Sequence, residues 1–212
     1  MTKRHEAAAA IRNAIETGWY RPGQIVSQRE IMADLKLSVT PTREALIELS
    51  ALGILDARKH TNIRIASVDA PRLKQVYRLR KQLETIAVAE ATEHIDKATI
   101  RRLEELNAEI AFLGGTEQLS RINELDREFH HLVFAAAQDE PRLASIEFTR
   151  NAFAFYALWR DSARVAASVK EHNAILRALD KRDADAAAKA HGRHLDSGLK
   201  AALRTLKTKA MS

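Results

Sequence analysis

The chain of 212 residues is expected to be mainly α, with an N-terminal winged helix-turn-helix over residues 1–68 and an antiparallel bundle of six helices over residues 69–212. Three features predict this. Residues 28–53, QREIMADLKLSVTPTREALIELSALG, carry two short helical periods separated by a turn. Leu55 to Ser67 alternates apolar and polar residues around His60-Thr61-Asn62, as two short strands do. From Asp69 onward glycine is sparse, prolines fall only at Pro71 and Pro141, and alanine, leucine, arginine and glutamate dominate, a helical composition.

Taken in order, Thr2 to Thr17 carries Ile11 and Ile15 at helical spacing and ends in the turn residues Gly18 to Gly23. Gln28 to Leu35 places Ile31, Met32 and Leu35 on one face. Ser38-Val39-Thr40-Pro41 supplies hydroxyl caps and a first-turn proline, so a second helix starts near Thr40 with Ala45, Leu46, Leu49 and Leu52 inward. That leaves Ser38, Thr40, Thr42 and Arg43 at its N-terminal end, the end that a recognition helix pushes into the major groove. Hydroxyls and N–H groups there suit phosphate oxygens, and a guanidinium suits guanine O6 and N7. Arg58, Lys59, His60 and Arg64 make the two following strands a basic wing.

In the second domain, Asp69-Ala70-Pro71 opens a helix to about His94, with Leu73, Val76, Leu79, Leu83, Ile86 and Ala87 inward. Asp96 or Thr99 starts the next, which carries Ile100, Leu103, Leu106, Ile110 and Leu113 to the Gly114-Gly115 stop. A third spans roughly Glu117 to Gln138. A fourth runs from Pro141 to about Arg160 and is rich in aromatics at Phe148, Phe153, Phe155, Tyr156 and Trp159, which read as core or dimer contacts, or alternatively as a pocket wall for an aromatic effector. A fifth runs from about Ser168 to Lys181, and a sixth from Asp183 toward Lys209.

Asp126 and His130 stand four apart on the third bundle helix and share a face. With His172 and His194 they form one carboxylate and three imidazoles, a set that suits zinc, nickel, manganese or iron if the helices converge. The same spacing also suits a solvated or hydrogen-bonded pair. His191, one turn before His194, is an alternative ligand. Arg80 offers a planar fork to a carboxylate, or alternatively an internal salt bridge to Glu84.

Charge and composition narrow the function classes. A net charge of +6 favours a polyanionic partner, and the absence of cysteine excludes disulfides and thiolate metal sites and fits a cytoplasmic setting. No apolar run reaches membrane-spanning length and no signal-peptide pattern opens the chain, so no membrane partner is expected.

The residues also resemble a family. Ile11-Arg12-Asn13-Ala14-Ile15 with Gly18, Pro22-Gly23-Gln24, Gln28-Arg29-Glu30-Ile31, Thr40-Pro41-Thr42-Arg43-Glu44-Ala45-Leu46 and Leu49-Ser50-Ala51-Leu52-Gly53 look like the GntR-type bacterial transcription regulators. The resemblance implies DNA contacts by Arg29, Ser38, Thr40 and Arg43, with a further contact at the wing tip around His60 and Asn62. Asn62 stands where members usually carry a wing glycine, and asparagine is among the residues that tolerate positive φ. Val76-Tyr77-Arg78-Leu79-Arg80 with Leu83-Glu84, Asp126-Arg127-Glu128-Phe129-His130, Glu171-His172 and His194-Leu195 resemble the effector-binding helical domain of the FadR subfamily, with six helices fitting its shorter VanR-like branch. That resemblance implies a divalent metal on Asp126, His130, His172 and His194, and a small organic acid effector meeting Arg80. It further implies a homodimer that represses by binding a palindromic operator in double-stranded DNA. A metal-dependent enzyme and a constitutive architectural DNA-binding dimer are the competing expectations.

Overall fold

The structure of the protein, a computed structural model, describes residues 2–16, 18–51, 53–59, 62–66, 69–151 and 161–210. The chain divides into two compact units, the first built on residues 1–68 and the second on most of the remainder. The fold is mainly α, as expected.

In the first unit, α1 (Lys3–Glu16), α2 (Gln28–Leu35) and α3 (Val39–Ala51) accompany a small sheet of β1 (Ile25–Val26), β2 (Leu55–Lys59) and β3 (Asn62–Ile65), in the order β1-β3-β2. The helix α2 begins with a capping box. The Ser27 hydroxyl accepts from the Glu30 N–H at 3.2 Å, and the Glu30 carboxylate accepts from the Ser27 N–H at 2.6 Å. It ends at Lys36, whose left-handed φ of 52° turns the chain toward α3. Ile11, Ile15, Ile31, Ala45, Leu46, Leu49, Ile63 and Ile65 form the core beneath these elements. Both strand pairings are antiparallel, with Ile25 opposite Arg64 and Leu55 opposite Ile65. The inward alternation of Ile63 and Ile65 follows from the two-residue period of the pleat. The strand β1 has no counterpart in the sequence expectations because two residues leave no periodicity.

The wing differs from expectation at Asn62. Among the described residues, the non-glycine positive φ angles belong to Lys36, Gln138 and Arg182. Asn62 instead opens β3, paired with Lys59, so no left-handed turn falls on it. His60, Thr61 and Leu52 lie outside the described residues.

The helices that follow are α4 (Ala70–His94), α5 (Lys97–Leu113), α6 (Leu119–Ala135), α7 (Glu140–Asn151), α8 (Ser162–Asp180) and α9 (Ala184–Ala210), and the second unit holds them apart from residues 148–151 of α7. Aspartate caps recur: Asp69 accepts from Arg72 N–H and Asp96 from Thr99 N–H, both at 2.7 Å. The core is continuous through Ala87, Val88, Leu103, Leu106, Ile110, Ile122, Leu125, Phe129, Val133, Ile175 and Leu179.

Two expectations are corrected here. The helix α8 starts at Ser162, well before Ser168, because the Asp161 carboxylate caps it by accepting from Ala163 N–H at 3.0 Å. On α4, Leu79 and Ile86 are not inward but 44% and 48% exposed. The buried face of that helix carries Tyr77, Arg80, Glu84, Val88 and Ala91, so a polar pair occupies the place that apolar periodicity assigns to leucine and isoleucine. Phe148 on α7 is half exposed, and its aromatic companions fall outside the described residues.

Candidate metal centre and nucleic-acid interface

His130, His172 and His194 reach one place inside the second unit from three different helices, α6, α8 and α9. One ligand nitrogen from each lies within 4.8 Å of the others. Asp126, one turn before His130, sets Oδ1 3.6 Å from His130 Nε2 and 3.5 Å from His172 Nε2. All four side chains are buried. Donor atoms around one zinc ion at 2.0–2.1 Å stand about 3.3 Å apart in a tetrahedron, so the aspartate and two imidazoles already have nearly that spacing. The histidine triad fits a divalent transition metal chemically: three nitrogens and a carboxylate oxygen, with no soft sulfur.

The imidazoles are oriented from behind. The Asn107 amide donates to the Val169 carbonyl at 3.2 Å and to Asn173 Oδ1 at 2.9 Å, which fixes the amide so that its own oxygen faces His172 Nδ1 at 3.0 Å. Nδ1–H therefore donates, and the Nε2 lone pair points toward Asp126 and the other histidines. Burial foremost, then the charges of His194 and Arg164, pushes the His172 imidazolium down to about 3 against the opposing carboxylates of Asp126 and Glu171. The ring is thus neutral, the form a metal requires. It stacks on Phe129 with 4.2 Å between ring centres. His194 Nδ1 meets Glu171 Oε2 at 2.9 Å, and the same oxygen accepts from Arg164 Nη1 at 3.0 Å.

Arg80 lies beside this cluster in a buried pair with Glu84, its Nε donating to Oε1 at 2.6 Å and its Nη2 to Oε2 at 3.4 Å. Burial works against the charged form of Arg80, but Glu84 foremost and Tyr77 next hold its pKa above the usual value. His191 is buried too, and its Nε2 contacts Glu84 Oε2 at 2.8 Å, so this histidine is engaged by the Arg80–Glu84 pair and stands outside the metal triad. Asn107 and Arg164 escaped the sequence reading, and Glu171 entered it only within the Glu171-His172 match, with no role of its own. The one signal that could have found any of them is the spacing Arg164, Ser168, His172, every fourth residue along one line of α8.

In the first unit, Ser38, Thr40 and Arg43 are exposed at the start of α3, and Arg29 is exposed on α2. Thr42 is not: it is fully buried, its hydroxyl donating to the Ser38 carbonyl at 2.7 Å, which ties down the first turn and removes the side chain from any DNA-facing surface. The exposed line of α3 is Thr40, Arg43, Glu44 and Ile47, with Lys3 and Arg4 bordering the same hollow as Thr40 and Pro41. Those two cations were not anticipated. Asn62 is exposed where β3 begins, and two residues further along that strand Arg64 Nη1 donates to the Gly23 carbonyl at 3.4 Å.

Comparison with known proteins places the chain among bacterial regulators. Residues 3–65 match the bacterial regulatory proteins of the gntR family, and residues 75–197 match the FCD domain. The Nta operon transcriptional regulator of Aminobacter aminovorans is 30% identical over 166 residues, covering 78% of each chain. The Exu regulon transcriptional regulator of Escherichia coli is 27% identical over 214 residues, covering 91% of this chain and 81% of that one. Among solved structures, Escherichia coli McbR superposes with a TM-score of 0.81 at 19% identity, over 92% of this chain and 94% of the other. A metal-free FCD domain matches with a TM-score of 0.54 at 16% identity, over 68% of this chain and 99% of that one. Among the described residues no helix is long and apolar enough to cross a membrane. The metalloenzyme expectation is set aside by these relatives: the chain belongs to the gntR family of bacterial regulatory proteins, a DNA-binding transcription regulator with an FCD domain and not an enzyme.

Proposed function

We propose that the protein is a metabolite-responsive repressor of the VanR-like branch, whose helical domain holds a divalent transition metal, zinc foremost, and a small organic acid that alters operator affinity. The observation that carries this reading is the buried convergence of His130, His172 and His194 beside Asp126. A metal held by these four would offer open coordination positions to a carboxylate. The chain's own residues do the rest: Asn107 and Glu171 orient two imidazoles, Phe129 packs one of them, and the surrounding core excludes water. Arg80 borders the site, where an arriving acid competes with Glu84 for its fork. Signalling requires the acid to bind the DNA-releasing arrangement more tightly than the DNA-bound one.

Val76, Leu79, Leu83 and Ile86 repeat at intervals of three and four along α4, with Leu79 and Ile86 exposed and Val76 and Leu83 half-buried between the core and solvent. This stripe supports pairing of two copies, and two copies match a palindromic operator. Arg29, Ser38, Thr40 and Arg43 would contact that DNA, with His60 and Asn62 at the wing; the work is that of a cytoplasmic protein. Elemental analysis of the purified protein, joined to operator titrations with and without candidate acids, tests the whole reading. A protein that carries no metal and whose operator affinity no acid changes would instead be a constitutive DNA-binding dimer.

Two outcomes are expected at single residues. Arg43→Ala weakens specific operator binding by about 1 to 3 kcal/mol and flattens preference at one base position, as a competition assay over single-base operator variants would read. Unchanged selectivity would remove Arg43 from the reading head. Asn107→Ala, which takes the acceptor away from His172 Nδ1–H, lowers metal affinity by about 10- to 100-fold in a chelator competition. Wild-type affinity in that variant would mean that the imidazole needs no such restraint.

A further inference from the structure

Two guanidinium groups are buried near the histidine triad, and they differ in what they have left to give. Arg80 is paired through Nε and Nη2 with the Glu84 carboxylate. Arg164, 5% exposed, sends both of its hydrogen bonds from Nη1, to Glu171 Oε2 at 3.0 Å and to Ser197 Oγ at 3.1 Å. Its Nε–H is buried and has no acceptor among the described residues. A buried donor on a cation left without a partner is costly, and native proteins leave few. Arg164 also lies on the same line of α8 as the fully buried Ser168 and His172, and the Ser168 hydroxyl stands 3.4 Å from His172 Nε2. A donor edge, a hydroxyl and a ligand nitrogen thus follow one another at successive turns. One oxygen of Glu171 joins Arg164 to His194, which keeps the guanidinium beside the cage.

Resting on the proposed metal and acid site, we propose that Arg164 is the residue that reads the effector: the acid carries a second oxygen function, a hydroxyl, oxo or further carboxylate group, which accepts from Arg164 Nε while its first carboxylate lies at the metal centre. Ser168 lines the path between the two. The class of ligand is therefore an oxygen-substituted carboxylic acid, and a plain alkanoate leaves the buried donor unsatisfied. Arg80 contributes less to this choice, since recruiting it requires breaking its pair with Glu84.

The test uses the full-length, zinc-loaded protein and matched acids of three to six carbons, each alkanoate set beside its hydroxy, oxo and dicarboxylic counterparts, with affinity read by calorimetry. The best oxygen-substituted acid is expected to bind roughly ten- to a hundredfold tighter than the alkanoate of the same length, the scale of one hydrogen bond from a charged donor. Arg164→Lys keeps a cation for Glu171, and Arg164→Gln removes it. Both are expected to bring the ratio to within about threefold, while Arg80→Lys leaves it in place. Zinc affinity, measured separately by chelator competition, should stay near wild type in Arg164→Lys. A wild-type ratio near one, or a ratio that survives in both Arg164 variants, overturns the proposal while leaving the metal and acid site standing. Failure of the wild-type protein to bind zinc, or to bind any acid once loaded, overturns the underlying site itself.

Discussion

Replacing His172 and His194 together by alanine is expected to leave a protein that retains no divalent metal after purification and dialysis. Loss of one outer partner of a ligand costs about 10- to 100-fold in metal affinity, and this variant removes two of the nitrogens themselves. What remains, Asp126 and His130 on one turn of α6, is an exchangeable two-point contact. The thermal consequence has two parts. A ligand that binds only the folded state at a hundred times its dissociation constant stabilises by about 2.7 kcal/mol, and that contribution disappears with the metal. Removal of the His172 ring also withdraws the partner on which Phe129 stacks, so packing loss adds to it. A chelator added to the wild-type protein should reproduce the first part and not the second. Non-specific DNA affinity should hold, because the cations of the first unit are untouched. Metal at wild-type stoichiometry in the double variant would show that the ion sits elsewhere.

Much of this architecture was legible in the residues, and the reasons are local. Asp69 and Asp96 announce helix starts because a carboxylate one residue ahead of a helix satisfies an N–H that nothing else reaches. Asp126 and His130 share a face because four residues make one turn. Other features depend on partners far along the chain. Asn107 reads as one more polar position on α5 until α8 brings His172 and Asn173 against it. Thr42 looks like a reader of DNA, but its hydroxyl is spent on the turn that presents its neighbours. The inward face of α4 misled apolar periodicity because burial there follows Arg80 and Glu84, whose charges cancel only in the folded pair. Leu79 and Ile86, displaced to the surface, keep the apolar period without the burial it normally signals.

That pair sets the second large expectation. Glu84 is fully buried and holds both the Arg80 guanidinium and His191 Nε2. Glu84→Ala removes the counter-charge of one and the partner of the other, in a place that water does not readily reach. Breaking a buried ion pair from one side costs about 3 to 5 kcal/mol, because the surviving charge pays desolvation without attraction. For a chain of this length each kcal/mol lowers the melting temperature by roughly 2 to 4 °C, so a fall of about 6 to 20 °C is expected in calorimetry. Asp126 contributes a weaker field to Arg80 and tempers the loss. Exchanging both partners, Arg80→Leu with Glu84→Leu, removes the charge together with its compensation and should recover most of the stability, since a well-packed apolar pair often equals or exceeds a buried salt bridge. A Glu84→Ala protein within 1 kcal/mol of wild type would mean that Asp126 or solvent already neutralises Arg80. Arg80 would then be available to a bound acid at little cost, and the division of roles between Arg80 and Arg164 would shift back toward α4.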